Sequence, residues 1–202
     1  MHTVEFFFDL SSPWTWMAFK NIQPIIRESG ATIVWKPFLV GGVFNAVNHD
    51  VYRWRENPDD RKYRHSFTWL QEWAKLYGIS MNFPCEHHPV KSVLAMRFCC
   101  ALQDHQEQLL SFATRAFEAY FTDQKNLDEP EVMVAIADAC GLNGSELLEK
   151  TRDQVIKDCL RLNTEDAIAR GAFGSPTIFV DKDRLYFGGD QLPIIRQALM
   201  EG

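Results

Sequence analysis

Two short, nearly unbroken apolar runs, residues 4–8 and 177–180, stand near opposite ends of a 202-residue chain whose middle is patterned differently. Val4, Phe6, Phe7 and Phe8 in the first run, and Ile178, Phe179 and Val180 in the second, have the length and side-chain type of buried strands. A helical stretch over residues 13–29, stopped by Gly30, and a strand over 31–35 follow the first run, predicting a β-α-β start. The second run turns at Asp181-Lys182-Asp183 into residues 185–187 as a β-hairpin, and after Gly188-Gly189 a last helix begins at 190 or 191 and ends at 200. Between these halves the spacing is helical. Trp69, Leu70, Trp73, Leu76 and Tyr77 form one apolar stripe, and Val93, Met96, Arg97 and Cys100 continue the pattern. Residues 92–102, 109–121, 130–140 and 145–171 complete the helical block. The simplest architecture is a β-α-β plus β-β-α sheet domain made from residues 1–45 and 172–202, with a helical domain over 46–171 inserted in a surface connection.

Composition narrows the partners. A net charge of −6 without a broad basic face argues against nucleic acid, although Arg53, Arg55, Arg61, Lys62 and Arg64 make a local basic run. No apolar run approaches the ~18 residues of a membrane span and no signal segment leads the chain, so a soluble cytoplasmic protein without a membrane partner is expected. The five cysteines, Cys85, Cys99, Cys100, Cys140 and Cys159, include no Cys-x-x-Cys and read as reduced. Cys99, Cys100 and Cys140 fall in helical segments and read as buried. Cys85 lies in a loop near His87 and His88, too few ligands for a four-coordinate metal, and none is expected.

The chemistry concentrates in two motifs. Ser12-Pro13 follows the first strand and opens a helix, placing a hydroxyl and free backbone N–H groups at a positive helix end that favours an anion. Gly174-Ser175-Pro176-Thr177 puts a proline directly before the strand at 177, where a cis bond would leave the Ser175 backbone open to a peptide-like ligand. Ser12 alone is a plain N-cap. Together the motifs predict a thioredoxin-type site that lacks its cysteines, so that a bound thiol brings the sulfur. One cation of the basic run reads as facing the cleft, with Arg61 and Arg64 as solvated residues of a helix start, Trp14 as an aromatic beside the site and Trp16 as core. His87 and His88 read as surface loop residues, with a cleft-facing acid as the alternative.

These residues, in this order, resemble the 2-hydroxychromene-2-carboxylate isomerases and the related kappa-class glutathione transferases, of DsbA-like thioredoxin fold. Asp9-Leu10-Ser11-Ser12-Pro13-Trp14 is similar to the signature at the first helix, Gly41-Gly42-Val43-Phe44 to the loop after the second strand, and Gly188-Gly189-Asp190 to the closing motif. The resemblance spans essentially the whole chain. It implies an α/β thioredoxin-like fold with a large α-helical insertion, and glutathione as cofactor. It further implies that Ser12 holds the glutathione sulfur as the catalytic residue and that Ser175, before cis Pro176, pairs with its cysteine unit. Asp190 takes the γ-glutamyl ammonium, the Gly189 and Asp190 amides take its carboxylate, and Asn48 and Lys62 line the cleft. The implied activity is a glutathione-dependent cis-trans isomerisation of a small aromatic carboxylate. A kappa-like transferase is the first alternative, a non-catalytic thioredoxin-fold protein that binds peptides or partners the second. The aromatic-rich surface of the helical insertion fits a homodimer.

Overall fold

A computed structural model describes residues 1–52, 57 and 59–201. Strand β1, Thr3–Phe8, leads through Ser12 into helix α1, Pro13–Ser29, which Gly30 closes in a left-handed conformation at φ 66°. Strand β2, Thr32–Pro37, pairs parallel to β1, with Phe6 opposite Trp35. Helix α2, Val40–Val47, follows directly. Gly41-Gly42-Val43-Phe44 is therefore helical and not a loop. Its buried Val43 docks against Phe7, Phe38 and Phe179, so tertiary packing overrides the poor helix propensity of two glycines.

The helical segment contains α3, Arg61–Leu76, α4, Val93–Ala101, α5, Gln106–Phe121, α6, Pro130–Ala139, α7, Gly144–Lys150, and α8, Gln154–Ala169. The predicted helix over 145–171 is thus two. Thr151 is buried and its hydroxyl donates back to the Leu148 carbonyl at 2.7 Å, while Asp153 adopts extended geometry and starts the second helix. The chain then returns as β3, Thr177–Val180, and β4, Arg184–Phe187, turns at Gly189–Gln191, and ends in α9, Leu192–Met200.

The four strands are ordered β2-β1-β3-β4, with β3 antiparallel to both its neighbours. Alternation along β1 sends Phe6 and Phe8 into the main core with α1 and α5, and Phe7 to the other face with α2 and α8. Both faces of the central strands are covered, which is why they read as continuous apolar runs. The stripe on α3 is only partly interior: Leu70 is buried, whereas Trp69 is 50% and Leu76 72% exposed. A mixed four-stranded sheet wrapped by helices, with the first helix opening at Ser12 and a cis Ser175–Pro176 bond ahead of β3, is a thioredoxin-like fold.

Candidate active site

The floor of the site joins two loops 160 residues apart in sequence. Ser12 is the N-cap of α1, with φ −99° and ψ 117°, and its Oγ accepts the Thr15 N–H at 3.2 Å. The same hydroxyl donates to the Ser175 carbonyl at 3.3 Å. Thr15 Oγ1 and Ser175 Oγ share a 2.7 Å hydrogen bond, and Ser175 Oγ accepts the Asp9 N–H at 3.2 Å. The partners of Ser12 Oγ are a backbone amide and a backbone carbonyl, so no base draws off its proton. It is suited to hydrogen bonding and not to nucleophilic attack.

Asp9 holds this floor from below. Its Oδ1 accepts the Ser11 N–H at 2.9 Å, and its Oδ2 accepts the Val40 N–H at 2.9 Å and the Ser92 hydroxyl at 3.1 Å. One carboxylate thereby ties β1 to the first turns of α2 and α4. Burial pushes its pKa up, against the opposing pull of these donors. Ser92, the N-cap of α4, gives its hydroxyl to Asp9 and sits at φ 57°, an uncommon conformation for a non-glycine residue. The motif at the first helix contains Asp9 and Thr15, whereas nothing in the sequence marks Ser92 as their neighbour. An Asp directly after a fully apolar strand was the available signal, since a buried carboxylate needs donors.

Above the floor opens a cavity of about 500 Å³. Ser12, Asn48, Lys62 and Ser175 all line it, together with Trp14 and aromatic side chains such as Phe67 and Phe173. Asn48 closes the end of α2 and its Nδ2 donates to the Phe173 carbonyl at 2.9 Å, pinning the loop that carries Ser175. Lys62 lies in the first turn of α3, exposed at the rim, with its backbone N–H capped by Asp60 at 2.9 Å. Arg61 and Arg64 are exposed and outside the lining, and Arg53 and Arg55 fall outside the described residues. A Cβ at Gly174 would come within 2.6 Å of the Phe187 ring, so a side chain there would displace that ring from the cavity edge.

Pro176 is buried under the floor. Gly189 and Asp190 are not part of the lining. Gly189 lies beside Ala18 on α1, where an added Cβ would stand 3.4 Å from the Ala18 Cβ. Asp190 is exposed; Gln191 Nε2 donates to it at 3.2 Å, and its charge, after burial, adds to the upward shift of the Tyr77 pKa. Six residues of helix separate Ser12 from Ala18, roughly 9 Å along the axis.

His88 corrects the surface reading of the loop at 87–88. It is half-buried and lines the cavity, its Nδ1 lies 2.9 Å from the Tyr120 hydroxyl, and its ring meets Phe83 edge-on at 4.6 Å. Burial first, and neighbouring Cys85 second, push the Tyr120 pKa up, so this hydroxyl keeps its proton. A tyrosine on the buried stripe of α5 had to find a polar partner, and His88 provides it. His87 stays outside, 3.3 Å from Glu86. Trp16 is core, stacked on Phe121 at 5.5 Å.

The pattern of a DSBA-like thioredoxin domain matches residues 3–200, and the chain belongs to that family. Within it, the chain is 24% identical over 206 residues to the 2-hydroxychromene-2-carboxylate isomerase of Sphingobium xenophagum, covering 98% of both proteins. It is 26% identical over 212 residues to human glutathione S-transferase kappa 1, covering 98% of this chain and 91% of that one. A solved 2-hydroxychromene-2-carboxylate isomerase structure superposes with a TM-score of 0.82 at 22% identity, over 98% of this chain and 95% of the other. No helix among the described residues is long and apolar enough to cross a membrane.

Proposed function

We propose that the chain is a glutathione-dependent cis-trans isomerase of a small aromatic carboxylate, of the 2-hydroxychromene-2-carboxylate type. The observation that carries this reading is Ser12: a donor hydroxyl at the positive end of α1, on the floor of an aromatic-walled cavity with Lys62 at its rim. The names of the related isomerases and transferases point the same way.

The residues fit glutathione. Among the described residues the backbone N–H groups of Trp14 and Ser175 have no hydrogen-bond partner, so both are free for a ligand beside Ser12. Ser175 precedes β3 and is not consumed by the sheet ladder. Gly189 and Asp190, one tripeptide length along α1, would receive the γ-glutamyl end. Bound there, glutathione would supply a thiol that adds to a conjugated carbon and leaves after the former double bond has turned.

The chain's own groups do the rest. A free thiol has a pKa near 8.5, and the end of α1 with the Ser12 hydroxyl favours its thiolate. Lys62 would orient the substrate carboxylate, and the aromatic walls would hold its ring and keep water out. We further infer a cytoplasmic location, consistent with the five free cysteines.

Calorimetric titration with glutathione is the test. Binding in the micromolar to low millimolar range, with glutathione-dependent interconversion of 2-hydroxychromene-2-carboxylate and its ring-opened alkene followed by absorbance, is the expected result. Absence of binding would overturn the reading. A stable glutathione conjugate detected by mass spectrometry would assign the transferase alternative, the activity in the name of the human kappa relative. Asp190→Asn should raise the glutathione Kd and leave turnover at saturation nearly unchanged, because the residue is remote from the sulfur.

A further inference from the structure

The floor beside Ser12 holds one hydroxyl proton with no acceptor among the described residues. Thr15 and Ser175 carry a hydroxyl proton each and share a single 2.7 Å hydrogen bond, in which either oxygen can donate. The other bond to this pair is the Asp9 N–H, which Ser175 Oγ accepts at 3.2 Å. Neither hydroxyl has a further acceptor among the described residues. Thr15 Oγ1 makes no bond back to its own helix, unlike Thr114 and Thr164, whose hydroxyls each donate at 2.7 Å to the carbonyl four residues earlier. One of the two protons is therefore idle, and which one it is decides the chemistry.

Burial gives the direction. Were Ser175 the donor, the idle proton would be that of Thr15, which is 0% exposed and outside the cavity lining. A buried hydroxyl proton without an acceptor is unfavourable. With Thr15 as donor, Ser175 Oγ accepts twice, from Thr15 and from the Asp9 N–H, which fills both its lone pairs. The idle proton is then that of Ser175, which is 8% exposed and lines the cavity with Ser12. The Ser12 proton, by contrast, is engaged by the Ser175 carbonyl at 3.3 Å.

We propose that the Ser175 hydroxyl is a second donor to the sulfur of the bound thiol, with Thr15 as the positioning residue that aims it, a role that rests on the glutathione reading. The two acceptor directions of Ser175 Oγ are fixed by the backbone after β1 and by α1, which leaves the O–H one direction of its own. The donor is thus oriented before the ligand arrives, and no bond within the protein has to break for it to act. Ser12 must release a carbonyl first. The bond from Thr15 also polarises the Ser175 O–H and makes it the stronger donor. A hydrogen bond to the ionised sulfur favours the thiolate, so the thiol proton leaves to solvent at a lower pH.

The test follows thiolate absorbance against pH in the intact protein saturated with glutathione, as a difference from the protein with S-methylglutathione, whose sulfur cannot ionise; calorimetry gives the Kd of each variant. Asp9 beneath the floor and Lys62, Tyr63 and His88 on the cavity wall are the titratable groups around the site. All four are retained, so the variants differ in their hydroxyls alone. Ser175→Ala should lower the ionisation constant of the bound thiol roughly tenfold or more, as the loss of one charge-assisted hydrogen bond does, with a smaller rise in Kd. Thr15→Val should lower the same constant by a smaller factor, and Thr15→Ser should restore it. If Ser175→Ala does not fold, because it strips the Asp9 N–H and the Thr15 hydroxyl of their acceptor, Thr15→Val carries the decision by sign. A Ser175 proton bound to Thr15 would be freed by that change and the constant would rise. Such a rise, no change in Thr15→Val, or an unchanged constant in folded Ser175→Ala overturns the role of Ser175 while glutathione still binds. Absence of glutathione binding to the unaltered protein overturns the glutathione reading and this role together.

Discussion

The floor and the wall of the cavity are built from different physics. On the floor, Asp9, Thr15 and Ser175 are buried, and each meets a partner at hydrogen-bond distance. On the wall, α3 contributes Tyr63 and Phe67, in edge contact at 4.9 Å, while Trp69, half exposed, reaches Trp14 at 5.7 Å. Hydrogen bonds fix atoms within tenths of an ångström, whereas apolar contacts fix volume and tolerate substitution. The floor can therefore hold one reacting atom in place, and the wall sets which ring shapes are admitted.

The strongest way to break the contrast is Asp9→Ala. It leaves the Ser11 and Val40 amides and the Ser92 hydroxyl without their acceptor at a fully buried position. The expected loss is about 3 kcal/mol, or roughly 6–12 °C in melting temperature for a chain of this size. Scanning calorimetry showing a change under about 2 °C would mean that the floor is held by packing, as the wall is. Ser12→Ala comes next. One charge-assisted hydrogen bond is worth about 1.5–3 kcal/mol, so turnover should fall roughly tenfold to a hundredfold while glutathione affinity moves less. An unchanged rate would leave Ser12 a helix cap.

This asymmetry also decides what could be read from the chain. Ser12-Pro13 and Ser175-Pro176 were visible because a helix start and a proline before a strand impose local backbone rules. The β1-α1-β2 start and the terminal hairpin were visible because strands buried on both faces are uninterruptedly apolar. The break at Thr151 was not, since it depends on a hydroxyl turning back to Leu148 inside a run that still scores as helix. Nor was the helical state of Gly41-Gly42-Val43-Phe44, which is stabilised by Phe7 on β1 and Phe179 on β3, both distant in sequence. The place of His88 was not visible because its partner Tyr120 lies on α5, 32 residues further along the chain. The wall as a whole has no motif, for shape complementarity leaves no residue-type signature.

Lys62→Met sharpens the contrast at the rim, where charge meets the apolar wall. An exposed ion pair is worth about 0.2–1 kcal/mol, so the KM for the aromatic carboxylate should rise up to about fivefold with kcat unchanged. Arg64→Met is the control, since Arg64 is exposed and outside the lining. Equal effects from the two, or none from Lys62, would remove Lys62 from the site.

The smallest effect is expected on the outer side of the wall, at Leu76. Its place in the apolar stripe with Trp69, Leu70, Trp73 and Tyr77 reads as core, and truncating a core leucine costs about 2–5 kcal/mol. The fold instead leaves Leu76 at the last turn of α3, 72% exposed, while Leu70 and Ala74 carry the buried contacts of that helix. Glutamine has nearly the helix propensity of leucine, so Leu76→Gln should change stability by less than about 0.5 kcal/mol. Thermal melts at several protein concentrations separate the cases. A small, concentration-independent change places this face of α3 in water; a larger loss that grows on dilution means that a second copy covers it, and Leu76 then belongs to an interface between subunits and not to the wall.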